Sequence, residues 1–172
     1  YQNAIQKALY EELSINPDIV YFGEDIRHNL YGYTFGLAEK FNDRIIDTPL
    51  SEAAILGCAI GASMTGLRTI VDLTVPNFLY VGMDQIASMA AKTHYMYNGE
   101  YKLPLTIITS SLQGSSSAAQ HSDRLHSMFS NIAGLKIITP ATPNDVYYML
   151  KEAINDDNPV LCFLDRSICF KY

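Results

Sequence analysis

One carboxylate in this 172-residue chain stands in a setting suited to proton chemistry. Glu52 follows the loop Asp47-Thr48-Pro49-Leu50-Ser51 and precedes an uncharged run of small and apolar residues that ends at Gly66. The run reads as a helix over 51–66. Thr48 or Ser51 is placed to cap it, Pro49 suits its first turn, and Gly66 is placed to end it. Ala53, Ala54, Gly57, Cys58, Gly61 and Ala62 would let that helix pack very close to a neighbour, so it is expected to be buried. A Glu at its mouth is then held between two opposing effects. Burial raises a carboxyl pKa and the helix dipole lowers it. A carboxylate so placed is a candidate proton handler. The structural alternative is a first-turn acid that complements the dipole and does nothing more.

His121 is the second candidate. It closes a loop of small polar residues, 110–122, of the kind that carries ligand contacts. His121 and His126 are five apart, not the four that would place two metal ligands on one helix face, and no Cys stands near them. Ser122 lies beside His121, but adjacency in sequence is not the geometry of a catalytic triad. No glycine-rich dinucleotide or Walker loop follows any apolar run. The chain therefore has no phosphate cradle of its own, and no metal site is expected in it. Cys58, Cys162 and Cys169 are odd in number and lie in apolar settings, which points to free core thiols in a reducing compartment.

The elements that must position these groups alternate. Residues 2–15 have helical period, with Ile5, Ala8, Leu9 and Leu13 on one face and Gln6, Glu11 and Glu12 off it. Strands are expected at 19–22, 44–47, 69–73, 105–109, 135–139 and 160–164. Between them fall a short helix near 35–41, the 51–66 helix, a Met-rich helix over 79–97 and a helix over 144–155. The Tyr and Met residues of that Met-rich stretch read as packing. Continuous apolar strands alternating with helices mean an α/β fold, a parallel sheet with helices on both faces. Ligands in such folds bind beyond the carboxyl ends of the strands. The loops at 23–25, 47–52, 74–78 and 110–122 all fall there.

Composition narrows the partners. Hydrophobic residues make up 48% and the net charge is -6, with no basic stripe, which speaks against nucleic acid. No apolar run is long enough to span a membrane. One domain over 1–172 is the default at this length. The chain opens at Tyr1 already inside a helical pattern, as an excised piece would. The 51–66 and 79–97 helices carry more apolar surface than one sheet should cover, so part of it is expected at an interface between chains.

Several stretches in register carry a resemblance. Asp47-Thr48-Pro49-Leu50-Ser51-Glu52, Ala59-Ile60-Gly61-Ala62, Asp84-Gln85-Ile86 with Ala90-Ala91-Lys92-Thr93, His121-Ser122 and Gly134-Leu135-Lys136-Ile137-Ile138-Thr139-Pro140 make the chain similar to the beta subunit of thiamine-dependent 2-oxo acid dehydrogenases. Gly23-Glu24-Asp25-Ile26 and Asp156-Asp157-Asn158-Pro159-Val160 also fit. The resemblance implies a transketolase-type pyrimidine-binding domain of a thiamine diphosphate enzyme, pyruvate-type by the look of 90–96. In that family the Glu matching Glu52 activates the aminopyrimidine of the cofactor. The residues matching Leu50, Thr74 and Phe78 line or stack on the ring, and the His matching His121 reaches the substrate or the lipoyl acceptor. Glu24 would be a secondary proton carrier. The family holds magnesium through a Gly-Asp-Gly segment, and no Gly-Asp pair occurs here. The diphosphate and magnesium would therefore belong to an alpha-type partner chain, in a homodimer or heterotetramer that could serve a lipoyl-bearing acyltransferase. The family's C-terminal domain is absent from the 172 residues. The resemblance places the chain in the cytoplasm or a matrix-like compartment. The sequence departs from the family in its serine-rich loop before His121 and in Asp123-Arg124-Leu125, where the family has Gln-Ser. The expected function is thus a cofactor-activating dehydrogenase subunit. The alternative is a non-catalytic assembly module of the same fold, or a related acetoin-cleaving or transketolase-like enzyme.

Overall fold

The computed structural model describes residues 1–111 and 118–167. Six strands form one sheet in the order β2-β1-β3-β4-β6-β5. They are β1 (Ile19–Gly23), β2 (Ile45–Asp47), β3 (Arg68–Asp72), β4 (Leu105–Ser111), β5 (Lys136–Ile138) and β6 (Val160–Asp165). Every neighbouring pair is parallel. The chain runs from β1 outward to β2 and then returns past β1 to β3. The strand order therefore reverses between β1 and β3, where α/β sheets open a crevice at their carboxyl edge.

Helices cover both faces, as the apolar strands require. On one side α1 (Gln2–Ile15) and α6 (Pro143–Asn155) pack Ile5, Leu9, Leu13, Val146 and Leu150 onto Tyr21, Ile70 and Ile108. The short α2 (Leu37–Lys40) adds Leu37 to this layer. On the other side α3 (Glu52–Met64) joins Leu56 and Ile60 to Val71, Leu105 and Ile107. Phe129 of α5 (His126–Phe129) packs into that second layer.

Three local expectations change. Glu12 is only 5% exposed and faces α6, where its carboxylate accepts from Asn155 Nδ2 at 2.8 Å and lies 3.3 Å from Lys151 Nζ. An acid on the apolar face is tolerated because both partners come from the facing helix. The Met-rich helix arrives in pieces: a 3-10 turn Pro76–Tyr80, a π-helical segment Gln85–Ala90 and α4 (Ala91–Met96). At Gly82 an added Cβ would stand 2.1 Å from Leu56 Cδ1, so glycine lets this segment close onto α3. Finally, α3 begins at Glu52, three residues past Pro49, and Ser51 at its N-cap makes no side-chain cap bond. Gly66, with φ +107, ends the helix as expected.

α6 shows what a full cap contributes. Thr142 Oγ1 accepts from Asp145 N–H at 3.1 Å, and Asp145 Oδ2 accepts from Thr142 N–H at 2.9 Å. Thr142→Ala is expected to lower the stability of the fold by about 1 kcal/mol in urea unfolding. A change below a few tenths would show that the packing of α6 alone holds its first turn.

Candidate functional site

All five expected site residues fall in the segments that follow strands, at the carboxyl edge. Leu50 and Glu52 follow β2, Thr74 and Phe78 follow β3, and His121 follows β4. The loop before α3 is tied to β1 by Thr48 N–H donating to Gly23 O at 3.0 Å. Glu52 is partly buried in the first turn of α3, and Leu50 is 73% exposed. Glu24, at the end of β1, has its carboxyl raised by burial, then by the charges of Asp25 and Glu52. Glu24 and Glu52 thus share one electrostatic neighbourhood.

The arrangement after β3 depends on a residue that sequence reasoning passed over. Asp72 is buried at the carboxyl end of β3. Its Oδ2 accepts from Tyr33 OH at 2.7 Å and Tyr21 OH at 3.1 Å. Its Oδ1 accepts from Thr74 N–H at 2.8 Å. That last bond helps hold Thr74 at φ +65, a left-handed conformation that a β-branched residue seldom adopts. Burial pushes the Asp72 carboxyl up, while the two phenols, the Thr74 amide and the charge of Arg166 pull it down. Tyr31, Tyr33 and Thr34 line the space beside Glu24 and Asp72 at the end of β1 and β3. The crevice at the strand reversal is therefore occupied by this chain's own aromatic loop.

Phe78 lies in the turn Pro76–Tyr80, and His121 ends the turn Ala119–His121. Their rings meet edge to face at 5.3 Å. His121 Nδ1 is buried and has no hydrogen-bond partner among the described residues. Ser122 Oγ donates to Ala118 O at 2.6 Å, so its hydroxyl is engaged away from His121 and a Ser-His pair does not form. His126 is elsewhere, tilted on Phe163 at 4.2 Å, its pKa lowered by burial and then by Arg124. Of the loop before His121, residues 112–117 lie outside the described residues, as does Cys169. Cys58 is an exposed free thiol and Cys162 a buried one, the latter pushed up by burial.

The expectation that α3 is buried holds for one face, through Ile55, Leu56, Ala59 and Ile60, and is corrected for the other. Ala54, Gly57, Cys58 and Gly61 are exposed and recur at helical spacing along one face. Cβ atoms added at Gly57 or Gly61 would meet nothing within 4 Å, so no contact among the described residues requires glycine there. Beside this face lies an apolar cleft of about 260 Å³, lined by Phe22, Ile46, Pro49, Ala54, Ile55 and Cys58 among others. Glu52, Leu50, Thr74, Phe78 and His121 do not line it.

A thiamine-type cofactor needs an aromatic or apolar wall for its ring and a cation-bearing cradle for its phosphates. Phe78 is the aromatic residue at this edge that could meet the first requirement. No group of three or more His, Cys, Asp or Glu able to hold a metal ion exists among the described residues, so the second has no counterpart there.

Residues 1–170 match the family "Transketolase, pyrimidine binding domain". The chain belongs to that family. As a transketolase-type pyrimidine domain, it is 39% identical over 170 residues to the acetoin:2,6-dichlorophenolindophenol oxidoreductase subunit beta of Cupriavidus necator, covering 92% of this chain and 50% of that protein. It is 40% identical over 163 residues to the pyruvate dehydrogenase E1 component subunit beta of Chaetosphaeridium globosum, with 93% and 50% coverage. The chain thus spans about half the length of these relatives. Its fold matches a solved split-gene transketolase, an inactive beta4 tetramer, with a TM-score of 0.77 at 22% identity, over 95% of this chain and 50% of that one.

These findings support the resemblance to beta-type subunits and the fold it implied, and they correct the expected function. A dehydrogenase subunit that takes the aminopyrimidine and activates it through Glu52 was expected. One solved structure whose fold this pyrimidine domain shares is instead an inactive beta4 tetramer. No described helix is long and apolar enough to cross a membrane.

Proposed function

We propose that this chain is a non-catalytic assembly module of the pyrimidine-domain type, a beta-type chain without activity of its own. The observation that carries this reading is the open face of α3. Ala54, Gly57, Cys58 and Gly61 form a stripe of small residues that nothing among the described residues covers, next to an apolar cleft. Small residues on a helix allow a second backbone to approach closely, so dispersion contacts accumulate over a short length. Met89, Tyr95 and Met96 add exposed apolar surface on the neighbouring segment. Apolar surface of this extent is characteristic of interfaces between chains.

The reading treats residues 1–172 as a single domain. The first partner is a second copy of the chain. A further partner is an alpha-type chain that would hold thiamine diphosphate and magnesium, with a lipoyl-bearing acyltransferase served by the whole assembly. Leu50, Glu52, Thr74, Phe78 and His121 lie at the edge presented to such a chain, and any chemistry at Glu52 or His121 arises only in that company. The setting is the cytoplasm or a comparable reducing compartment. The 39% and 40% identities to the acetoin oxidoreductase and pyruvate dehydrogenase beta subunits make acetoin and pyruvate the substrates to assay first if a reconstituted assembly turns over.

Light scattering across a concentration series tests the reading. Dimers or tetramers are expected to form from the chain alone. Thiamine diphosphate and magnesium added to that oligomer should show no accelerated deuterium exchange at the thiazolium carbon. A chain that stays monomeric at high concentration, or one that accelerates the exchange unaided, would overturn it.

A further inference from the structure

We propose that Asp123 and Asn77 form a clamp that seats His121 against Phe78, with Asp123 as a positioning residue. Asn77 and Phe78 share the turn Pro76–Tyr80 after β3, and Asp123 follows His121 by two residues in the loop after β4. Asn77 Nδ2 donates to Asp123 Oδ2 at 2.9 Å. The Asp123 N–H donates back to Asn77 Oδ1 at 3.1 Å. Tyr80 OH reaches the same carboxylate oxygen at 3.3 Å. Two loops 46 residues apart in sequence are thus joined by a reciprocal pair, with a third donor from the same turn.

His121 itself supplies little to its own placement. Its Nδ1 has no partner among the described residues, and its contact to Phe78 is a single edge-to-face one. One edge-to-face contact does not fix a ring at the end of a turn whose preceding residue, Ala118, is at φ +62. The clamp does so by fixing the backbone on the far side of the ring. A carboxylate suits the position because it can accept from Asn77 and Tyr80 at once, and bonds to a charged acceptor are stronger than neutral ones. The inference goes beyond the assembly reading and holds whether the chain is monomeric or oligomeric.

The test reads the ring protons of His121 by NMR, assigned with His121→Gln. Phe78→Leu defines the ring-current displacement that Phe78 imposes on them. Asn77→Asp sets two carboxylates against each other and is expected to abolish that displacement while the urea midpoint shows the fold retained. The double exchange Asn77→Asp with Asp123→Asn reverses the direction of the side-chain bond and is expected to restore it. Asp123→Ala breaks the clamp without adding charge and should behave like Asn77→Asp. The proposal is overturned if Asp123→Ala keeps the parent's displacement, or if the double exchange leaves the ring where Asn77→Asp put it. Should Asn77→Asp fail to fold, Asp123→Ala and the double exchange decide by the same readout.

Discussion

Asp72→Ala is expected to lower the stability of the fold by about 3–6 kcal/mol, a large share of the roughly 5–15 kcal/mol that holds a domain of this kind together. Removing the carboxylate strips the acceptor from two buried phenols, Tyr21 and Tyr33, and from the Thr74 amide. Each buried donor left unpaired costs about 1–3 kcal/mol. The carboxylate's own burial cost is relieved when it is removed, which places the total below the simple sum. Urea unfolding followed by circular dichroism measures the change. A loss under 1 kcal/mol would mean that water reaches these groups and that the network is not the anchor of the carboxyl edge.

The same residue gives the stability a pH dependence of unusual sign. Burial holds the Asp72 carboxyl above its usual range, so protonation is more favourable in the folded chain than in the unfolded one. Its contribution is then full below about pH 3.9, the ordinary value for Asp, and is lost as the pH rises through the folded value. Glu11, Asp156 and Asp157 run the other way, their carboxyls lowered chiefly by lysine and arginine partners, and their contribution fades as the pH falls. The difference between the parent and Asp72→Asn cancels those groups. That difference should shrink as the pH is raised from acid toward neutral, and a difference that grew would contradict the assignment.

Gly57→Ala should separate folding from assembly. A glycine inside a helix costs about 0.5–1 kcal/mol relative to alanine. Since an added Cβ meets nothing within 4 Å in this chain, the monomer should gain that amount. The same methyl group holds a second helix away, so self-association should weaken by roughly tenfold, about 1.4 kcal/mol. Gly57→Glu places an unpaired charge in an apolar contact, which costs several kcal/mol, and dissociation should strengthen by more than about 100-fold. Sedimentation velocity at several concentrations reads both. If Gly57→Glu associates as the parent does, the face of α3 is not the interface.

The sheet was legible because buried parallel strands read as short apolar or β-branched runs, as Ile19–Gly23, the first five residues of Leu105–Ser111 and the first five of Val160–Asp165 do. Glu52 and His121 were legible as single polar groups at the ends of apolar or small-residue segments. Asp72 was not. It stands within an apolar run, and its phenol partners are 51 and 39 residues away, so no local pattern announces them. The clamp of Asn77 with Asp123 was hidden in the same way. Glu12 read as solvent-facing because helical period assigns a face without naming what lies across from it. α3 was misread for a different reason. A run of Ala, Gly and Cys asks for a close neighbour, and the composition is the same whether that neighbour belongs to this chain or to another.

Both margins of the sheet are short. β2 and β5 each contribute three residues. Arg27 lies along the outer margin of β2, its guanidinium donating to Ile45 O and Asn42 O at 2.9 Å. At the opposite margin Lys136 is paired with Asp156. Abbreviated margins carrying fixed cations are poor templates for the backbone of an incoming strand. Chains held at high local concentration by their helical faces are thereby steered away from the strand-on-strand growth that leads to fibrils, and the particles they build should remain finite in size.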